Sequence, residues 1–186
     1  FSLARSNPIG VFKVFATYRQ ALPLCIVMAM YFFATSVYPA IWAFWGIARF
    51  NWSETIIGWN LSVFGLITVA VQGGLTGPAV KWLGERNTTI LALATSVIAA
   101  AGYGVATGMS MVLILFLVHA PEGFAQPALT ALMSKDAPPD AQGELQGGIA
   151  SAQNLALLVG TVMFAQIFGY FLQDGSPIQS PNVAYF

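Results

Sequence analysis

Long apolar stretches separated by short polar ones run through the whole chain. A bilayer core about 30 Å thick takes roughly 20 residues of helix at about 1.5 Å each. The pattern predicts spans at about 21–47, 54–80, 88–107, 109–134 and 145–172. Barrel strands would instead alternate over about ten residues, so the fold class is an all-α membrane protein.

Each span carries its own punctuation. In the first, Pro23 sits near the start, where a missing N–H costs little, and Pro39 should bend the far half. Trp42 and Trp45 at its end suit the headgroup level. Ser53 is a candidate N-cap for the second span, with Glu54 in its first turn. The third is rich in Ala, Gly and Val, and Gly108 suits its C-cap, giving a tight hairpin with the fourth. The fourth holds His119, Pro121, Glu122, Gly123 and Pro127 and is the one polar, broken span.

The flanks differ. Over residues 1–20, Val11, Phe12, Val14, Phe15 and Tyr18 alternate with Lys13 and Arg19, as in a linker end or short helix lying on a membrane. The linker 135–144 carries Pro138-Pro139 and three acids. Asp174-Gly175-Ser176-Pro177 is a turn within an external segment 173–186. The polar opening and the apolar residues at 182–186 fit a segment cut from a longer chain, with a sixth span expected after Phe186.

Composition sharpens this picture. The chain has 186 residues, 57% hydrophobic and only 8% charged. Soluble domains carry about 25% charged residues, so an ordinary soluble enzyme is excluded. Seven Lys+Arg balance seven Asp+Glu, which gives nucleic-acid binding no electrostatic support. Cys25 is alone, so there is no intrachain disulfide or Cys-based metal site. No nucleophile elbow, P-loop or HExxH occurs, so no enzyme, cofactor or metal is expected.

Cationic residues orient the spans. With the N-terminus inside, Arg5, Lys13, Arg19, Lys81, Arg86 and Lys135 are cytoplasmic, and only Arg49 is outside.

The segment between spans two and three reads Gly73-Gly74-Leu75-Thr76-Gly77-Pro78-Ala79-Val80-Lys81-Trp82-Leu83-Gly84-Glu85-Arg86. Its glycines and charges fit a tight cytoplasmic turn between closely approaching helices, with the charges pairing to neighbouring helix ends. Gly77, Lys81, Gly84, Glu85 and Arg86 resemble the degenerate second copy of the major facilitator superfamily loop signature, with Lys81 where the first copy has its acid. Phe50-Asn51-Trp52-Ser53, then Ile57-Gly58, Leu61 and Phe64-Gly65, look like the start of helix eight in the tetracycline-efflux branch. Pro127-Ala128-Leu129, Met133-Ser134 and Gln142-Gly143-Glu144-Leu145-Gln146-Gly147 fall in the same order.

The resemblance implies the C-terminal half of a twelve-helix secondary transporter, with five of its six spans (helices 7–11) present. Its partner would be an N-terminal six-helix half, and its substrate would lie between the halves. It also implies proton-coupled export of drug-like, tetracycline-type compounds from a bacterial inner membrane, driven by the proton gradient. A solute or metabolite transporter of the same fold stays open, as does a membrane binding or scaffold protein that transports nothing. Two positions depart from the branch. Some members carry a His where Thr68 stands, and an Asp before the Gly-Tyr pair that is here Gly102-Tyr103, preceded by Ala99-Ala100-Ala101.

The candidates that could replace them are His119 and Glu122, three apart on one helix face and near the midplane. A charge there costs at least a few kcal/mol on insertion scales, and desolvation disfavours a charged carboxyl, the property a proton carrier needs. The alternative is a buried Glu122 held by backbone freed at Pro121 and Pro127, with His119 as neutral partner. The candidate proton or substrate residues are Glu122, His119, Gln126, Asn154 and Gln72. Neutral amides in spans also serve as interhelical hydrogen bonds, and Tyr31, Phe32, Trp59 and Phe64 could stack on a planar compound.

Overall fold

A computed structural model describes residues 14–135 and 137–186. Val11, Phe12, Lys13 and Arg5 of the expected interfacial stretch, and the linker acid Asp136, lie outside the described residues. Among the described residues every regular element is helical.

The chain enters through one turn, α1 (Val14–Thr17), then crosses as α2 (Ala21–Thr35) and α3 (Val37–Phe50). These two are one span bent at Ser36. Pro39 has no N–H to offer the carbonyl one turn back, so the ladder parts there. At the bend the Ser36 hydroxyl donates to the Phe33 carbonyl at 2.6 Å. The span leaves through Asn51 in the left-handed region, φ 54°.

Ser53 caps α4 (Glu54–Gly74), its hydroxyl accepting from the Ile56 N–H at 3.4 Å. This helix stops at Gly74, short of the expected 80. The expected tight turn over 73–86 is not there. After Leu75 the chain is helical again, α5 (Thr76–Gly104), interrupted only at Gly84 with φ 76° and ψ 161°. That backbone is open to glycine and strained for other residues. Gly77 makes no close approach, since a Cβ there would meet nothing within 4 Å. Among the described residues, Lys81, Glu85 and Arg86 form no ion pair, so the expected pairing to helix ends is absent. The redirection is made by backbone conformation at one position rather than by paired charges.

The third helix ends at Gly104, and Gly108 is the N-cap of the next helix rather than a C-cap. That next span is α6 (Met109–His119), a 3₁₀ segment (Ala120–Phe124) and α7 (Ala125–Ser134). The break falls at Pro121, Glu122 and Gly123, as the sequence suggested. Last comes α8 (Gln142–Leu172), then a 3₁₀ turn (Val183–Tyr185). Among the described residues, four helical stretches are long and apolar enough to cross a membrane: Ala21–Phe50, Glu54–Gly74, Met109–Ser134 and Gln142–Leu172. The stretch expected as the third span lies in α5, whose first third carries Lys81, Glu85 and Arg86 and whose remainder is rich in Ala, Gly and Thr.

Among the described residues three apolar clusters form, a small one around Ala92, Phe124 and Ala125 and two larger ones at opposite ends of the bundle. One joins Phe15, Cys25, Met28, Leu129, Met133, Leu145 and Ile149, at the end that carries Arg19, Lys81 and Lys135. The other is aromatic: Trp42, Trp45, Trp52, Tyr103, Phe116 and Tyr185 meet mostly edge-on or tilted, the geometry that ring quadrupoles favour. Trp42 and Trp45 are thus inside the bundle, 8% and 0% exposed, and not at its lipid-facing rim. The indole N–H of Trp45 donates to Asn182 Oδ1 at 2.9 Å, tying the final segment to this end.

Where α8 crosses the bend of the first span it does so through Gly160. A Cβ there would lie 2.7 Å from the Phe33 carbonyl and against Ser36. Gly160→Ala should therefore lower stability by about 1–3 kcal/mol through overpacking, read as a reduced thermal midpoint in detergent. Gly169→Ala, in the same helix with open space around its Cβ, should not lower it.

Candidate functional site

The break in the fourth span creates the site. Pro127 has no N–H, so the Gly123 carbonyl one turn back loses its intrahelical donor. Inside a membrane that carbonyl needs another partner. Gln72 supplies it from α4, its Nε2 donating to the Gly123 oxygen in a long hydrogen bond of 3.4 Å. The 3₁₀ winding meanwhile presents Glu122 and His119 side by side.

Their partners come from three helices. Glu122 and the His119 imidazole form a close pair through Oε2 and Nε2. The other carboxyl oxygen accepts from the Tyr31 hydroxyl of α2 at 2.6 Å. The other ring nitrogen, His119 Nδ1, lies 3.3 Å from the Tyr103 hydroxyl of α5. Tyr31, Glu122, His119 and Tyr103 thus form one continuous polar chain across the bundle. His119 is 2% exposed and flanked by the rings of Tyr38 and Phe64.

A cavity of about 160 Å³ opens beside the pair, lined by Tyr31, Phe64, Thr68, Gln72, Glu122 and Gln126 among others. It faces toward a wider groove bordered by Gln72, Gln126, Thr130, Ser134 and Gln146. Four of the five candidates, Glu122, His119, Gln126 and Gln72, therefore meet at one place. Asn154 does not join them: it is exposed on α8 and borders none of these cavities. Of the candidate aromatics, Tyr31 and Phe64 line the cavity and Phe32 packs edge-on against Tyr31. Trp59 points away, 69% exposed.

A family model described as the Major Facilitator Superfamily matches residues 2–167. The chain belongs to the major facilitator superfamily. It is an integral membrane protein of a family of transporters, not enzymes. Among curated proteins it is similar to the class C tetracycline resistance protein of Escherichia coli, 32% identical over 88% of this chain and 43% of that protein. It is also similar to the class G tetracycline resistance protein of Vibrio anguillarum, 33% identical over 69% of this chain and 33% of that one. A more distant relative is the human Hippocampus abundant transcript-like protein 1, 28% identical over 66% of this chain and 25% of that protein. The chain thus spans well under half the length of the relatives it matches. No solved structure gives a significant match.

Two features of this superfamily chain escaped sequence reasoning. Tyr31 read only as a ring that could stack on a planar compound and Tyr103 as part of the Gly-Tyr pair, and only the tertiary fold brings their hydroxyls to the His119–Glu122 pair. Gln142 is the second. Its Nε2 donates to the carbonyls of Ser134 and Ala137 at 2.9 and 2.8 Å, and Gln146 Nε2 donates to the Ser134 hydroxyl at 2.9 Å. The amides of the resemblance motif therefore clamp the end of α7. A glutamine just beyond a helix end was the available signal.

The polar chain gives a stability prediction. Tyr31→Phe and Gln72→Leu should each lower stability by about 1–2 kcal/mol, the scale of a hydrogen bond whose partner is left unpaired, measured by thermal unfolding in detergent. Tyr170→Phe, half-exposed on α8, should change nothing measurable.

Proposed function

We propose that this chain is the C-terminal half of a proton-coupled exporter of drug-like compounds, working by alternating access against an N-terminal six-helix half. The observation that carries the reading is Glu122: an acid in the break of a spanning helix, paired with His119 and facing a cavity. An ionisable group at membrane depth is costly and marks an ion or substrate path. The similarity to tetracycline resistance proteins supports a tetracycline-type compound as the substrate class.

Position 68 gives further support. Some members of the tetracycline-efflux branch carry a histidine there; here Thr68 lines the same cavity as Glu122 and His119. In this reading Glu122 and His119 supply the titratable groups of that cavity from the neighbouring helix. Protonation of the pair would then gate whether the cavity holds a charge, with the proton gradient as the energy source and no cofactor required. The residues that redirect the chain between α4 and α5, with Lys81 and Arg86, would sit at the cytoplasmic face of a bacterial inner membrane.

Glu122→Gln keeps the shape and removes the titration. In the full-length protein, gradient-driven efflux should fall by about 5–150-fold, the range of a coupling free energy of about 1–3 kcal/mol, while membrane insertion stays normal. Efflux with an unchanged rate and pH profile would make the residue structural. For orientation, in a Cys25→Ser background, Lys81→Cys should react with an impermeant thiol reagent from the cytoplasmic side and Gly175→Cys from the outside. Reaction of both from one side would reject the topology.

A further inference from the structure

His119 is the joint of the polar chain, and its two nitrogens face different surroundings. Nε2 is turned to Glu122 Oε2, beside the polar cavity. Nδ1 is turned to the Tyr103 hydroxyl, beside a second, apolar cavity of about 240 Å³ walled by rings such as Trp42, Phe64 and Phe116. Of these two cavities, Glu122 borders the first alone and Tyr103 the second alone. The other groups around the imidazole leave its nitrogens untouched. Tyr38 of α3 and Phe64 of α4 flank it through their rings, and Tyr185 of the final turn lies against the ring of Tyr103. Among the described residues no Lys or Arg pairs with Glu122.

Hydrogen-bonding capacity then restricts where the protons sit. A neutral imidazole has one N–H and one bare nitrogen, an ionised carboxylate only accepts, and a phenol can do either. Tyr31 donates to Oε1 at 2.6 Å, which leaves Oε2 as the oxygen that deals with His119. With Glu122 ionised, Nε2 must carry the imidazole proton, and the bare Nδ1 accepts from Tyr103. With Glu122 neutral, the proton on Oε2 faces Nε2, so Nε2 is bare, and Nδ1–H donates to Tyr103.

We propose that Tyr103 is the positioning residue of the pair: its hydroxyl, by reversing from donor to acceptor, lets the His119 proton move from Nε2 to Nδ1 when Glu122 takes up a proton. One proton enters from the medium. Oε2–H forms, Nε2–H breaks and Nδ1–H forms, and Tyr103 keeps its own proton. The charge at the break of the fourth span is thereby read out on α5. The proposal rests on Glu122 as the proton-bearing group and adds how its state is passed on.

The test is nitrogen NMR of the full-length protein in lipid vesicles, isotopically labelled at histidine nitrogen and stepped from alkaline to acid conditions. The signals of His119 are those lost in His119→Gln. In the wild type the protonated nitrogen should change from Nε2 to Nδ1 in step with the infrared band of the protonated carboxyl. Tyr103→Phe keeps the ring that packs against Trp42 and Phe116 but leaves Nδ1 without an acceptor. A buried N–H with no acceptor is costly, while Nε2 still has a carboxyl oxygen, so the proton should stay on Nε2 throughout. Tyr31→Phe, which touches the carboxyl and not Nδ1, should keep the switch, and Glu122→Gln should abolish it. A switch that survives in Tyr103→Phe, or is lost in Tyr31→Phe as well, would overturn the proposal. So would an imidazole that gains a second proton beside an ionised carboxylate. A carboxyl band that appears while the imidazole proton stays put would remove this inference and leave the transport reading. A wild-type switch alongside normal efflux by Glu122→Gln would do the reverse.

Discussion

A bilayer supplies no water to backbone groups, so a break in a spanning helix must be satisfied from inside the protein. Pro121, Gly123 and Pro127 impose such a break on the fourth span, and the surrounding bundle is organised to accommodate it. Gln72 reaches across from α4 to the carbonyl that Pro127 strands. The 3₁₀ winding turns Glu122 and His119 toward one another. Tyr31 and Tyr103 close the two ends of the polar chain.

The same logic explains why the two ends of the bundle differ. Bulky rings fill the end near Arg49, where the final segment folds back and Asn182 meets Trp45. Smaller aliphatic side chains fill the end near Arg19 and Lys135, where α2 lies along α8. Close helix approach needs small residues, as at Gly160, where α8 crosses the first span; among the rings of the aromatic end a cavity remains. The pair at the break stands between these regimes, with a polar cavity on one side and an apolar one on the other.

Much of this was legible in the sequence. Apolar run length marked four of the five expected spans, Pro39 marked the bend at Ser36, Ser53 marked a cap, and Pro121 with Gly123 marked the break. Glu122, His119, Gln72 and Gln126 were legible as candidates because polar groups are rare and expensive in such spans. What was not legible depended on neighbours distant in sequence. Trp42 and Trp45 read as rim residues because their burial against Tyr103 and Phe116 is a tertiary fact. Asn154 read like Gln126, and only the rotation of α8 turns it away. The segment 73–86 read as a turn because its glycines and charges are turn-like, yet beyond Leu75 it is helical, and a single residue of positive φ, Gly84, redirects the chain.

The central claim is that the carboxyl at the break changes its protonation in the working protein. Infrared difference spectroscopy on the full-length protein in lipid, stepped from alkaline to acid conditions, tests it most directly. The account predicts a carbonyl-stretch band of a protonated carboxyl that appears on acidification, shifts when Tyr31→Phe removes its hydrogen-bond donor, and is missing in Glu122→Gln. A wild-type spectrum indistinguishable from that of Glu122→Gln would contradict it.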